Sequence, residues 1–103
     1  MFESILKNVQ QKTPLVHCIT NYVTVNDVAN VLLACGGSPI MADDEKDAVE
    51  ITAICNALVI NIGTLNQRTI ATMLKTGKKA NELSHPVVLD PVGAGASSLR
   101  TDT

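Results

Sequence analysis

The sequence predicts an α/β fold with a mainly parallel central sheet, arranged as a three-layer sandwich or one half of it. Three observations carry this. Helical periodicity alternates with short extended runs in the order α-β-α-β-α-β-α-β along 103 residues, and such alternation implies parallel strands joined by right-handed crossovers. Residues Ala57 to Ile62 are apolar apart from Asn61, as in a strand buried on both faces. The run Val87-Val88-Leu89 ends in the carboxylate of Asp90, followed at once by Pro91 and a glycine-alanine turn. Ligands bind at the carboxyl ends of strands in open α/β sheets.

Each element has a local cause. Phe2, Ile5, Leu6 and Val9 recur at i, i+3, i+4 and i+7, predicting an amphipathic helix over residues 2–12 that Pro14 ends. Leu15 to Ile19 is a short strand. Thr20, Asn21 and Thr24 offer caps for a second helix whose apolar face is Val25, Val28, Ala29 and Leu32, and Gly36-Gly37 closes it. Ser38 to Ala42 is extended. Asp43-Asp44-Glu45 then loads acid onto the next helix start, where the macrodipole favours it, and Ala48, Ile51 and Cys55 form its apolar line. Gly63 terminates the third strand. Thr64-Leu65-Asn66-Gln67 fits a capping box for a helix whose predicted inner face carries Ile70, Met73, Leu74 and Gly77. Val87 to Leu89 is the last strand, and the chain is expected to stop at Thr103 before the helix that its turn should introduce.

Composition bounds the function. Hydrophobic residues make up 46% and charged residues 17%, which suits one folded domain over residues 1–103 without internal repeat or linker. Aromatics are 2%, net charge is −2 and the basic residues are scattered, so a nucleic-acid footprint is not expected. Cys18, Cys35 and Cys55 are odd in number and far apart, which fits reduced, packed thiols in a cytoplasmic protein better than zinc or disulfides. Met1-Phe2-Glu3-Ser4 does not read as a signal peptide, and no apolar run approaches the roughly 18 residues of a membrane span. A soluble protein is expected. A four-stranded parallel sheet in so short a chain should leave apolar edges and faces poorly covered, which points to further sequence or to oligomerisation.

The strand ends gather on one rim: Thr20 and Asn21, Met41 and Ala42, Asn61 and Gly63, and Asp90 with Gly93 and Gly95. This set suits a small polar molecule and a hydrated cation, and contains no nucleophile-base pair. Asp90 either caps the amides of its turn or holds Mg²⁺ through water. Gly93-Ala94-Gly95-Ala96-Ser97-Ser98 partly matches the pyrophosphate-cradling G-x-G-x-x-G, with Ser98 at the third glycine. Asn21 reads as a cap or an anchor, Asn26 and Asn30 as a polar stripe, His17 as a satisfied and partly buried histidine, and Cys18 as packing. Met41 belongs to the core or to an apolar pocket wall.

Four blocks, Pro14 to Val23, Ala34 to Ala42, Ala57 to Leu65 and Val88 to Ala96, resemble the N-terminal part of the hydroxyethylthiazole kinase family in the same order. The resemblance covers nearly the whole chain and less than half the family's usual length. It implies a ribokinase-like fold and a thiamine-salvage kinase that transfers the γ-phosphoryl group of ATP, with Mg²⁺, to the primary alcohol of 4-methyl-5-(2-hydroxyethyl)thiazole. It further implies that Asn21 and Val23 contact the thiazole, that Met41 and Gly63 form another part of its pocket between subunits of a homotrimer, and that Asp90 helps hold magnesium. Gly93 and Gly95 would then lie on the phosphate side. Asp27 and the Gly36-Gly37 pair depart tolerably from the family pattern. The family's catalytic residue, its later glycine-rich anion hole, its second acidic magnesium residue and most ATP contacts would fall beyond Thr103. On this reading the 103 residues alone should be a fragment that does not catalyse efficiently, or a non-catalytic remnant that binds thiazole or full-length subunits.

Overall fold

The computed structural model describes residues 1–103. The chain runs α1 (Phe2–Lys12), β1 (Leu15–Ile19), α2 (Val25–Ala34), β2 (Ser38–Met41), α3 (Glu45–Ile54), β3 (Ala57–Asn61), α4 (Gln67–Glu82), β4 (Val87–Asp90) and α5 (Ser98–Asp102). All strands are parallel and the sheet order is β2-β1-β3-β4. The alternation read from sequence is therefore present, with one correction: the turn after Asp90 is followed by its helix, α5, whose first amides are capped by the Ser97 hydroxyl accepting from the Arg100 N–H at 3.2 Å. That cap is an ordinary serine N-cap, hidden in the sequence by the brevity of the helix.

The order of the strands sorts the helices. From β1 the chain steps one way to β2, and from β2 it crosses back over β1 to β3 and on to β4. Right-handed crossovers in opposite directions put their helices on opposite faces. The side chains agree. Cys18 shares a cavity with Val25 of α2 on one face, whereas its neighbour His17 meets Thr52 of α3 on the other. The main core lies on the α3–α4 side, where Ile19, Leu58, Ile60, Ile62, Met73 and Ala80 pack together. Removing the Leu58 side chain, which is fully buried, would cost about 2–5 kcal/mol by the general behaviour of core leucines.

Several details differ from the sequence reading, each for a physical reason. The inner face of α4 is threonine-rich: Thr69, Thr72 and Thr76 are buried with Met73 and Ala80, while Leu74 is exposed. Threonine tolerates this burial because its hydroxyl bonds back along the helix, Thr76 to the Thr72 carbonyl at 2.9 Å and Thr72 to the Arg68 carbonyl at 3.1 Å. The capping box of α4 starts two residues later than expected, with Asn66 and Thr69 exchanging hydrogen bonds at 3.0 and 3.1 Å. Only Gly36 of the Gly36-Gly37 pair is left-handed, at φ 94°. β3 is not buried on both faces: Leu58 and Ile60 are buried towards α4, while Ala57, Val59 and Asn61 are half-buried. α1 has the expected span, but none of its residues is buried, and β4 is exposed throughout. These two surfaces are the poorly covered apolar area that the short chain implied.

His17 is more deeply enclosed than its strand pattern suggested. It is wholly buried, with Nδ1 2.6 Å from Thr52 Oγ1 and Nε2 2.7 Å from the Ala42 carbonyl. The Ala42 oxygen can only accept, so Nε2 carries the proton and Nδ1 accepts from Thr52. Burial lowers the His17 pKa, against smaller upward pulls from the Ala42 carbonyl and Asp47. The unfolded chain therefore binds this proton more tightly than the folded one. Stability is complete above the ordinary histidine value of 6.5 and declines as pH falls below it, by at most about 1.4 kcal/mol per pH unit. Urea unfolding between pH 7.5 and 5 should show this decline in the unsubstituted chain and a flatter profile in His17→Gln.

Candidate functional site

The strand order reverses between β1 and β3, and in open α/β sheets the crevice outside the carboxyl ends at such a point receives the ligand. Here that crevice is spanned by amides. Asn21, just after β1, donates through Nδ2 to Asn61 Oδ1 at 3.2 Å. Asn61, the last residue of β3, donates through Nδ2 to Asp90 Oδ2 at 3.1 Å and accepts from the Gly63 N–H at 2.8 Å. Asn21 Oδ1 in turn accepts from the Thr24 N–H at 3.0 Å and the Thr24 hydroxyl at 2.9 Å. The result is a polar chain across three strand ends, from the entry of α2 to the Asp90 carboxylate. Asn21 is not itself the cap of α2, which is Thr24, but it orders the turn into that helix by accepting from Thr24, and its amide lies at the crevice.

Gly63 is required there by space. A Cβ on it would lie 2.9 Å from Asn21 Cβ and 2.9 Å from Asn61 Oδ1, closer than packed atoms approach. On the other side of β1 a cavity of about 190 Å³ opens, lined by Cys18, Ile19, Thr20, Tyr22, Val25, Met41, Ala42 and Asp43. Met41 forms part of its wall. Val23 does not: it is 89% exposed and projects from the turn between Tyr22 and Val25, both of which line the cavity. The structure therefore joins Asn21, Gly63 and Asp90 in one network, sets Met41 in the adjacent cavity, and leaves Val23 in solvent. The Thr20 hydroxyl at the end of β1 is buried without a protein partner.

Asp43 belongs to the cavity wall and is tied down. Arg68 donates to its carbonyl at 2.9 Å and pairs with its carboxylate at 3.3 Å, while the Thr72 hydroxyl donates to the same carbonyl at 3.0 Å. With His17 holding the Ala42 carbonyl, the segment after β2 is fixed from β1 and α4 together. Cys18 supplies no nucleophile: burial, with a lesser contribution from Cys55, pushes its thiol up to about 11. No trio of His, Cys, Asp or Glu side chains clusters as a metal cage. Asp90 is the one carboxylate on the polar chain. With one oxygen oriented by Asn61 and its surroundings open to solvent, it fits a hydrated Mg²⁺, which uses few protein ligands and keeps several waters.

The glycines after β4 are left-handed, Gly93 at φ 75° and Gly95 at φ 92°. Their turn is largely self-satisfied. The Ala94 N–H bonds the Pro91 carbonyl, the Ala96 N–H bonds the Gly93 carbonyl, and the Gly95 N–H bonds Thr101 Oγ1 at 2.8 Å. Asn61, which the sequence puts on the rim without a role, is the centre of the network. Its signal was the single amide interrupting an apolar strand at its carboxyl end.

Asn61→Ala would leave the Gly63 amide and the Asn21 side chain without their acceptor, costing about 1–3 kcal/mol for groups of this burial. Gly63→Ala should destabilise by about 1–3 kcal/mol as well, through overpacking. Urea midpoints of the two variants and of the double variant check this, and a double-variant loss well below the sum is expected because both act on one network.

Residues 6–103 match the sequence profile of the Hydroxyethylthiazole kinase family. The chain is 65% identical over 103 residues to "Hydroxyethylthiazole kinase" of Clostridium acetobutylicum, covering all of this chain and 38% of that protein. It is 69% identical over 100 residues to the protein of the same name from Clostridium beijerinckii, covering 97% of this chain and 36% of the relative. The solved hydroxyethylthiazole kinase protein of Pyrococcus horikoshii OT3 superposes with a TM-score of 0.94 at 50% identity, over 96% of this chain and 39% of that one. The three-layer architecture is thus that of the N-terminal portion of a ribokinase-like α/β fold, and the chain spans about 38% of the length of the Clostridium acetobutylicum relative. With the profile running from residue 6 to residue 103, the chain belongs to the hydroxyethylthiazole kinase family.

Proposed function

We propose that these residues form the acceptor side and first metal carboxylate of a kinase that phosphorylates the primary alcohol of 4-methyl-5-(2-hydroxyethyl)thiazole, with ATP as phosphoryl donor and Mg²⁺ as cofactor. The observation that carries this reading is the unbroken hydrogen-bonded chain Asn21–Asn61–Asp90 across the crevice, in a chain whose relatives carry that enzyme's name. A small, mostly apolar heterocycle needs a shaped wall with few polar anchors. The Met41 cavity offers the wall, and Asn21 offers an amide whose orientation is set by Thr24 and Asn61.

Phosphoryl transfer requires chiefly positioning and charge neutralisation. Bound Mg²⁺ would neutralise phosphate charge. Asp90 would hold it, with Asn61 fixing the carboxylate's rotation, and the Gly93-to-Gly95 turn would lie beside it on the phosphate side. Neither buried His17 nor the Cys18 thiol is suited to take the alcohol proton. We assign that step to the length of the relatives outside this segment. We further assign the intact enzyme to a cytoplasmic homotrimer with its thiazole pocket at subunit contacts. Three free thiols support the compartment, and the exposed Tyr22 on the wall of the Met41 cavity, followed in the chain by the exposed Val23, supports the contact. No helix is long and apolar enough to cross a membrane.

The test replaces the matching segment of the Clostridium acetobutylicum relative with this chain. The folded chimera should phosphorylate the thiazole alcohol in an ATP- and Mg²⁺-dependent manner, and the isolated 103 residues should not turn over. Asp90→Asn in the chimera should lower kcat about 10²-fold, as for loss of a preorganised electrostatic group. Met41→Ala should mainly raise the thiazole KM, about tenfold for a lost apolar contact. A folded chimera without thiazole-dependent ATP consumption would overturn the assignment.

A further inference from the structure

Arg100 occupies an unusual position for a residue of a short terminal helix. Its guanidinium reaches back over the turn after β4 and donates from Nη2 to the Gly63 carbonyl at 2.8 Å and from Nη1 to the Val92 carbonyl at 3.4 Å. No carboxylate lies within ion-pair distance of it; the ion pairs of the chain are Lys7–Glu3, Arg68–Asp43 and Lys75–Glu45. The charge is spent entirely on backbone carbonyls of two different turns. Charge-assisted bonds of this kind are stronger than neutral ones, and the fork of the guanidinium suits two acceptors at once.

Gly93 makes the path for it. A Cβ built there would fall 2.4 Å from Arg100 Nη1 and 2.9 Å from its Cδ. The left-handed φ of 75° already favours glycine, but the collision with Arg100 is a separate constraint. Gly95, by contrast, has nothing within 4 Å of an added Cβ. The two glycines, which a phosphate-binding fingerprint would treat alike, therefore do different jobs. Gly93 leaves room for an arginine.

We propose that Arg100 is a positioning residue that straps the Asn61–Gly63 turn to the Asp90–Gly95 turn, and so sets the separation between the acceptor side and the phosphate side of the site. The proposal rests on the kinase reading above for its effect on the reaction, while the strap itself does not. Arg100 touches neither substrate nor metal. It acts through the Gly63 carbonyl, whose amide neighbour is held by Asn61 at 2.8 Å, and through Val92, whose N–H bonds the Asp90 carbonyl at 3.0 Å.

Two measurements separate the strap from the chemistry. Amide hydrogen exchange on the 103-residue chain should quicken about tenfold at residues 61–65 in Arg100→Ala, as expected for local opening after one strong bond is lost. In the chimera with the Clostridium acetobutylicum relative, Arg100→Ala should lower kcat about tenfold with both KM values little changed, as misplacement of reacting groups does. Arg100→Lys, which can reach one carbonyl, should recover part of that loss. Gly93→Ala should destabilise in both backgrounds, since φ 75° strains any side chain there, but less beside Arg100→Ala, where the collision is gone. Unchanged exchange at 61–65, or additive effects of the two substitutions, would overturn the strap. Faster exchange with unchanged kcat would overturn its role in positioning. An inactive unsubstituted chimera would instead overturn the kinase reading and leave exchange to decide the strap.

Discussion

The reversal of strand order between β1 and β3 is the constraint on which the rest depends. Because the crossover to β2 leaves in one direction and those to β3 and β4 in the other, the backbones separate above that pair of strands. The gap must be lined by whatever the two strand ends supply. Asn21 and Asn61 are the residues supplied, and a side-chain amide suits this place because it donates and accepts at once. One such group can take a backbone N–H from its own turn and pass a donor to the next strand. A carboxylate at Asn61 would accept from Gly63 but could not donate to Asp90. A leucine would do neither.

Other side chains tie the rim down on either side of this network. On the β2 side, Ala42 and Asp43 are fixed by His17, Arg68 and Thr72 through main-chain carbonyls. On the β4 side, the turn closes on itself and on Thr101. In both cases side chains grip backbone, which leaves the Met41 side chain and the second carboxylate oxygen of Asp90 to serve what enters. Sites held this way keep their geometry when a wall residue is exchanged, since the wall residue is not what anchors the wall.

The architecture was legible in the sequence because the crossover pattern and the apolar strands are strong local signals. Element types from α1 to β4 were read correctly, and the carboxyl-end rim followed from them. What could not be read was the direction of burial where threonine replaces aliphatic residues. The inner face of α4 is built on Thr69, Thr72 and Thr76, whose hydroxyls are satisfied only once the helix exists. Arg100 was invisible for a related reason: its partners are carbonyls 8 and 37 residues away, and carbonyls leave no mark in a sequence. Val23 differs again: nothing in its sequence neighbourhood says which way a turn residue points, and in the single chain it points to solvent.

The two margins of the sheet are not equivalent. In β2 the Ser38 N–H bonds inward to the Pro14 carbonyl, so the alternate residue, Pro39, faces outward, and it has no N–H to offer. In β4 the Pro86 and Asp90 carbonyls bond inward, so the amides and carbonyls of Val87 and Leu89 face outward on a strand exposed along its length. A strand arriving from outside finds a blunted border beside β2 and a receptive one beside β4. Whatever lengthens this sheet, whether more of a polypeptide or a stray chain in an overexpressing cell, meets an unbroken ladder beside β4 and one missing a donor beside β2.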